Sequence, residues 1–135
     1  MTGASRPVFD SQAGNPEFEP VASVVDLTEG TILQRVRPSG DAVCLVRYKG
    51  EISALSDTCT HQHFSMSLGD LLENGTLQCA WHGARYDCRT GEVSQEPATS
   101  PLPVFHVRLD GDTILVGPRC KRIDGKYESS TVRVL

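Results

Sequence analysis

Residues 57–87 read DTCTHQHFSMSLGDLLENGTLQCAWHGARYD, and the rest of the chain is best understood outward from this stretch. Cys59-Thr60-His61 is followed, after seventeen intervening residues, by Cys79-Ala80-Trp81-His82. Each short segment offers one thiolate and one imidazole. A zinc knuckle normally draws two cysteines from one segment. Mixed segments suit a two-metal cluster instead, with both cysteines on one iron and both histidines on the other, so that each loop spans the whole cluster. A single zinc ion is the competing reading, because thiolates and imidazoles serve zinc as well.

The chain as a whole sets broad bounds. At 135 residues it is long enough for one domain with short extensions and a core that needs no disulfides. Lysine and arginine number 13 against 17 aspartates and glutamates, a net charge of −4 with no basic stripe, which argues against nucleic acid as a partner. Of five cysteines, Cys44, Cys88 and Cys120 lie outside the motif, at spacings that suggest no disulfide framework. The N-terminus lacks the basic start and apolar run of a secretory signal. No apolar run approaches the ~20 residues that span a bilayer. Free thiols and the missing membrane segment fit a reducing cytoplasm.

Turn signals divide the chain into short strands. Residues 1–19 are rich in Gly, Pro, Ser, Asn and Gln and read as a flexible tail. Strands are expected at Val21–Val25, Thr31–Arg37, Ala42–Tyr48 and Glu51–Ser56, the last two joined by Lys49-Gly50. After the first motif segment, Ser67–Leu72 holds at most a short helical turn, broken by Gly69. Thr76–Ala80 delivers Cys79 at a strand end, and Ala84–Cys88 leaves the second segment. Three prolines in 97–103 preclude a helix or a central strand there. Val104–Leu109 and Thr113–Val116 form a hairpin that carries His106 as a structural or surface histidine. Asp124-Gly125 marks one more hairpin, and Thr131–Leu135 an edge strand. Cys44, mid-strand among apolar neighbours, reads as a small buried hydrophobe. Many short strands without a long helix give an all-β class, a small antiparallel sandwich or barrel.

C-T-H followed by C-x-x-H-G resembles the signature of the Rieske family, whose [2Fe–2S] cluster has two histidines in place of two cysteines. The resemblance runs from about Val21 to Gly117. It implies a Rieske domain over 20–117, with 118–135 an extension. It also implies one [2Fe–2S] cluster held by Cys59, His61, Cys79 and His82 between two hairpin loops. Around them Gln62, His63, Phe64, Trp81, Gly83, Ala84 and Tyr86 would line the cluster or its docking tip. Pro97 and Pro101 match the proline loop that covers one side. High-potential members join an extra cysteine from each loop; here Phe64 and Trp81 stand at those positions. They also place a serine where this chain has Ala84, whereas the tyrosine two residues on is kept as Tyr86. His63 departs from the small residue usual at its position. Two stabilisers lost and one retained imply a potential low in the Rieske range, which runs from roughly −150 to +300 mV.

The segment WHGARYDCRTG resembles the soluble ferredoxins of ring-hydroxylating dioxygenase systems in particular. By that resemblance the chain is an electron carrier, monomeric in isolation and without catalytic residues of its own. It would pass electrons from a flavin-dependent reductase to a terminal oxygenase. A small subunit of an enzyme complex such as assimilatory nitrite reductase is the alternative. No nicotinamide-binding fingerprint, P-loop or nucleophile elbow appears.

Overall fold

A computed structural model describes residues 17–59, 65–80, 83–95 and 100–134. Thirteen strands and two single 3₁₀ turns are formed among them. β1 (Glu19–Ser23), β2 (Ile32–Val36), β3 (Ala42–Tyr48), β4 (Glu51–Ser56), β9 (Val104–Asp110), β10 (Thr113–Arg119) and β13 (Val132–Arg133) build a seven-stranded antiparallel sheet. Its order is β1-β10-β9-β4-β3-β2, with β13 paired to β4 beside β9. A second sheet of four strands runs in chain order: β5 (Asp70–Leu71), β6 (Thr76–Gln78), β7 (Arg85–Asp87) and β8 (Val93–Gln95). β11 (Arg122–Ile123) and β12 (Lys126–Tyr127) pair as a hairpin across Asp124-Gly125.

The sequence of β3 explains its place at the centre. AVCLVRY is apolar at both parities, which a strand with one wet face cannot be. Val43 and Leu45 enter one core with Leu27, Ile52, Ala54, Phe105, Val107, Ile114 and Val116, inside the curl of the large sheet. Cys44 and Val46 point the other way, into a core shared with Leu55, Leu77, Tyr86, Leu102, Val104 and Tyr127. The small sheet therefore covers the outer face of β3 and β4, and all four residues are fully buried.

The large sheet is a nearly closed barrel, and Arg37 bridges its seam. Just beyond β2, its guanidinium binds Glu19 Oε1 on β1 at 2.6 Å and the carbonyls of Val116 and Gly117 on β10 at 3.0 and 2.8 Å. It also reaches the Glu17 carbonyl at 3.1 Å. Phe18 packs on Gly117 and under the Arg108 guanidinium.

Several boundaries differ from those read in the sequence. β1 starts at Glu19, inside the span taken as tail, because Arg37 fixes Glu17 and Glu19 there; residues 1–16 lie outside the described residues. Val24–Asp26 turn into a 3₁₀ helix, with Asp26 accepting from the Ser23 amide, so the first strand stops short of Val25. The helical turn near Ser67 covers only Met66–Leu68, and Asp70–Leu71 is a strand. β10 continues through Gly117-Pro118 to Arg119, as a register shift after Val116 lets it stay on β9.

Candidate metal centre

Two loops reach the same end of the small sheet, and each is pinched at its neck. Residues 58 and 65 form an isolated antiparallel bridge, and the Met66 amide donates to the Asp57 carbonyl at 2.6 Å. In the second loop the Cys79 amide donates to the Ala84 carbonyl at 2.7 Å. These closures place Cys59 and Cys79 at the inner ends of their loops, 0 and 1 % exposed, in one apolar core with Met66, Leu77, Ala84, Tyr86 and Leu102.

Tyr86 occupies the middle of β7 and points inward, where its hydroxyl lies 3.3 Å from Cys59 Sγ. Ala84 is fully buried in the same core but carries no hydroxyl. Pro101 is buried next to Leu102, whose amide donates to Gly91 at 2.8 Å and so ties the proline segment to the β7–β8 turn. Gly83 adopts φ +72° beside Gln78, a backbone state that favours glycine. The Gln95 side chain donates to its carbonyl at 2.9 Å. His61, Gln62, His63, Phe64, Trp81, His82 and Pro97 lie outside the described residues. His106 is exposed on β9, the surface alternative of the two read from the sequence.

Contacts that the motif did not reveal hold the two loops together. Gly69 lies so close to the second loop that a Cβ would stand 1.9 Å from the Gln78 carbonyl oxygen. Asp57 is 3 % exposed and accepts three side-chain or backbone donors, one of them from Gln34 on β2. Neither could be found by ligand spacing, since neither is a ligand type in a ligand position. The sole signal for Gly69 was a glycine interrupting an otherwise helical stretch.

The other three cysteines share that core. No disulfide joins any of the five. Burial pushes the Cys88 thiol up to about 12, with the Asp87 carboxylate adding to it. Cys120 is pushed up to about 11 by burial and then by Glu128. Burial raises Cys44 further still, helped by Asp57. Such thiols stay protonated at neutral pH. Among the described residues no group of three or more His, Cys, Asp or Glu side chains forms a separate metal site.

The donor set fits an iron–sulfur cluster: two buried sulfurs at the necks of two loops that each go on to a histidine, with a hydroxyl against one sulfur. The sequence profile of the Rieske [2Fe-2S] domain matches residues 17–106, about two thirds of the chain. The chain belongs to the Rieske family. A Rieske domain carries a [2Fe–2S] cluster, and this one is similar to dioxygenase ferredoxins. It is 36% identical over 91 residues to the ferredoxin component of the p-cumate 2,3-dioxygenase system of Pseudomonas putida, covering 67% of this chain and 77% of that protein. With the biphenyl dioxygenase ferredoxin subunit of Pseudomonas sp. strain KKS102 it shares 33% identity over 99 residues, 73% of this chain and 90% of that one. The Rieske fold superposes on the ferredoxin of carbazole 1,9a-dioxygenase from Nocardioides aromaticivorans IC177 with a TM-score of 0.70 and 29% identity, covering 75% of this chain and 97% of the other. A chain from the complex of reduced oxygenase and oxidized ferredoxin of carbazole 1,9a-dioxygenase gives a TM-score of 0.72 at 29% identity, covering 82% and 100%. These relatives are electron-transfer components, not catalysts. No helix among the described residues is long and apolar enough to cross a membrane.

Proposed function

We propose that this Rieske protein is the ferredoxin of a ring-hydroxylating oxygenase system, carrying single electrons in the cytoplasm from a flavin-dependent reductase to a terminal oxygenase. The similarity to dioxygenase ferredoxins, over 77 to 90% of their length, carries this reading. Residues 20–117 form the cluster domain in this proposal, with 118–135 an extension packed on it. Cys59 and Cys79 would hold one iron, and His61 and His82 the other.

When bound, such a cluster accepts and donates one electron at a time. The rest falls to the chain's own residues. Leu77, Leu102 and Met66 keep water from the cysteine side. Tyr86 directs a hydroxyl at Cys59, and the loop necks at 57–66 and 79–84 hold both sulfurs in place. A buried hydroxyl facing a thiolate favours the more negative state, so Tyr86 raises the potential while Ala84 contributes nothing of the kind.

Absorption and electron paramagnetic resonance spectra of the purified protein test the proposal. A brown protein with a rhombic signal after dithionite reduction is expected, and mixing it with a terminal oxygenase should reoxidise it. A colourless, zinc-loaded protein from anaerobic, iron-replete expression would overturn the reading.

A further inference from the structure

We propose that Asp57 fastens the two sides of the first ligand loop at its neck and that its buried negative charge holds the centre toward its oxidised state. The inference rests on the ligand set proposed above. Asp57 follows β4 directly, two residues before Cys59, and is 3 % exposed. Its carboxylate reaches across the loop neck to the returning strand of chain. The Ser67 amide donates to Oδ1 at 2.8 Å, and the Ser65 hydroxyl donates to Oδ2 at 2.5 Å. Gln34 Nε2, projecting from β2, donates to the same Oδ2 at 2.5 Å. The backbone of Asp57 adds two more ties, from its amide to the Ala42 carbonyl at 3.1 Å and from the Met66 amide to its own carbonyl at 2.6 Å. One residue thus fastens β2, β3 and both sides of the loop.

The serines extend the clasp. Ser65 spends its only hydroxyl proton on Asp57, so in the 2.9 Å contact between Ser65 and Ser67 the Ser67 hydroxyl is the donor. No lysine or arginine among the described residues forms an ion pair with Asp57. A buried carboxylate with no cation paired to it among the described residues is stabilised by such donors, and they leave its charge in place. Reduction adds one negative charge to the centre. A fixed negative charge held nearby in a low-dielectric surrounding opposes that addition. Loop closure needs only the hydrogen bonds, whereas the shift in redox equilibrium needs the charge.

The two roles separate experimentally in the cluster-loaded, full-length protein. Asp57→Asn should raise the reduction equilibrium constant about tenfold, read by protein-film voltammetry as a ~59 mV rise for a one-electron couple. It should also lose its cluster to a ferrous chelator several-fold faster than wild type. Asp57→Glu retains the charge and should restore the low potential while still releasing iron faster. Ser65→Ala removes one tie and no charge, so it should release iron faster with no upward shift. An unchanged potential in loaded Asp57→Asn overturns the electrostatic role, and unchanged release in all three variants overturns the clasp. Should Asp57→Asn fail to assemble, Asp57→Glu and Ser65→Ala decide by the same two readouts. A wild-type chain that binds no cluster refutes the ligand set instead, a result distinct from any of these.

Discussion

The Tyr86 hydroxyl lies 3.3 Å from the Cys59 sulfur, and both side chains are wholly buried. Tyr86 belongs to β7 of the small sheet, whereas Cys59 follows β4 of the large one. The contact therefore joins the two layers at the point where the candidate ligand loop begins.

Tyr86→Phe should consequently lower the midpoint potential with the cluster retained. A hydrogen bond to a charged group contributes about 1.5–3 kcal/mol, and the difference between redox states is about half of that, ~1 kcal/mol. That corresponds to a drop of about 40 mV for a one-electron couple. Ala84→Ser introduces a hydroxyl into the same core and should raise the potential by a similar amount. Voltammetry on both variants checks the signs; an unmoved potential in Tyr86→Phe would show that the contact does not persist around the cluster.

Cysteine substitutions should split into two groups. Cys59→Ser and Cys79→Ser should abolish cluster assembly, since a hydroxyl substitutes poorly for a thiolate on iron. Cys44→Ser and Cys120→Ser should leave iron content per folded protein unchanged. Cys44→Ser should still destabilise by about 1–3 kcal/mol, because it buries a hydroxyl in apolar surroundings. Iron and sulfide analysis beside denaturant titration gives both quantities. Iron lost in Cys88→Ser but kept in Cys79→Ser would move the second ligand to Cys88.

Gly69→Ala should dislodge the second loop through the first. The added methyl meets the Gln78 carbonyl at 1.9 Å, and backbone on both sides must shift to relieve it. A stability loss of about 1–3 kcal/mol is expected, with reduced cluster occupancy. Gly30→Ala is the control, since its Cβ meets open space at φ +78° and carries only the backbone penalty. Equal iron content in the two variants would argue against contact between the loops.

Alkaline pH should weaken the fold in a defined window. The folded Cys88 thiol is raised from 9.0 to about 12, so above pH 9 the unfolded chain gives up a proton that the native chain keeps. Stability from this group is complete below pH 9 and is lost as pH rises toward 12. The slope is up to about 1.4 kcal/mol per pH unit. Cys120 acts likewise between 9.0 and about 11. Denaturation midpoints of wild type and Cys88→Ala between pH 8 and 11.5 should diverge in slope by close to one proton. Parallel curves would mean that Cys88 ionises freely in the native state.

The sequence made the large sheet and the placement of the two motif loops legible for local reasons. AVCLVRY, the Lys49-Gly50 turn and the C-x-H and C-x-x-H spacings are all readable within a few residues. What holds the site together was not. Asp57 meets Gln34 across 23 positions, and Arg37 meets Gly117 across 80. Such partners share no period or motif, and their pairing emerges only when the sheet order brings β2 beside them. Glu17 and Glu19 looked like tail for the same reason, since the arginine that orders them lies far along the chain.

β4 has one edge served by two partners made at very different times. Ala54 and Leu55 wait for Phe105 and Val104, and Ile52 and Glu51 wait for Val132 and Arg133, eighty-odd residues later. At about 5–20 residues per second, the ribosome leaves that stretch of EISALS without its neighbour for roughly 4–16 s. An unfilled strand edge beside apolar side chains is a ready site for another chain to add to. The nascent molecule therefore passes through an interval of aggregation risk that ends only when its last described strand arrives.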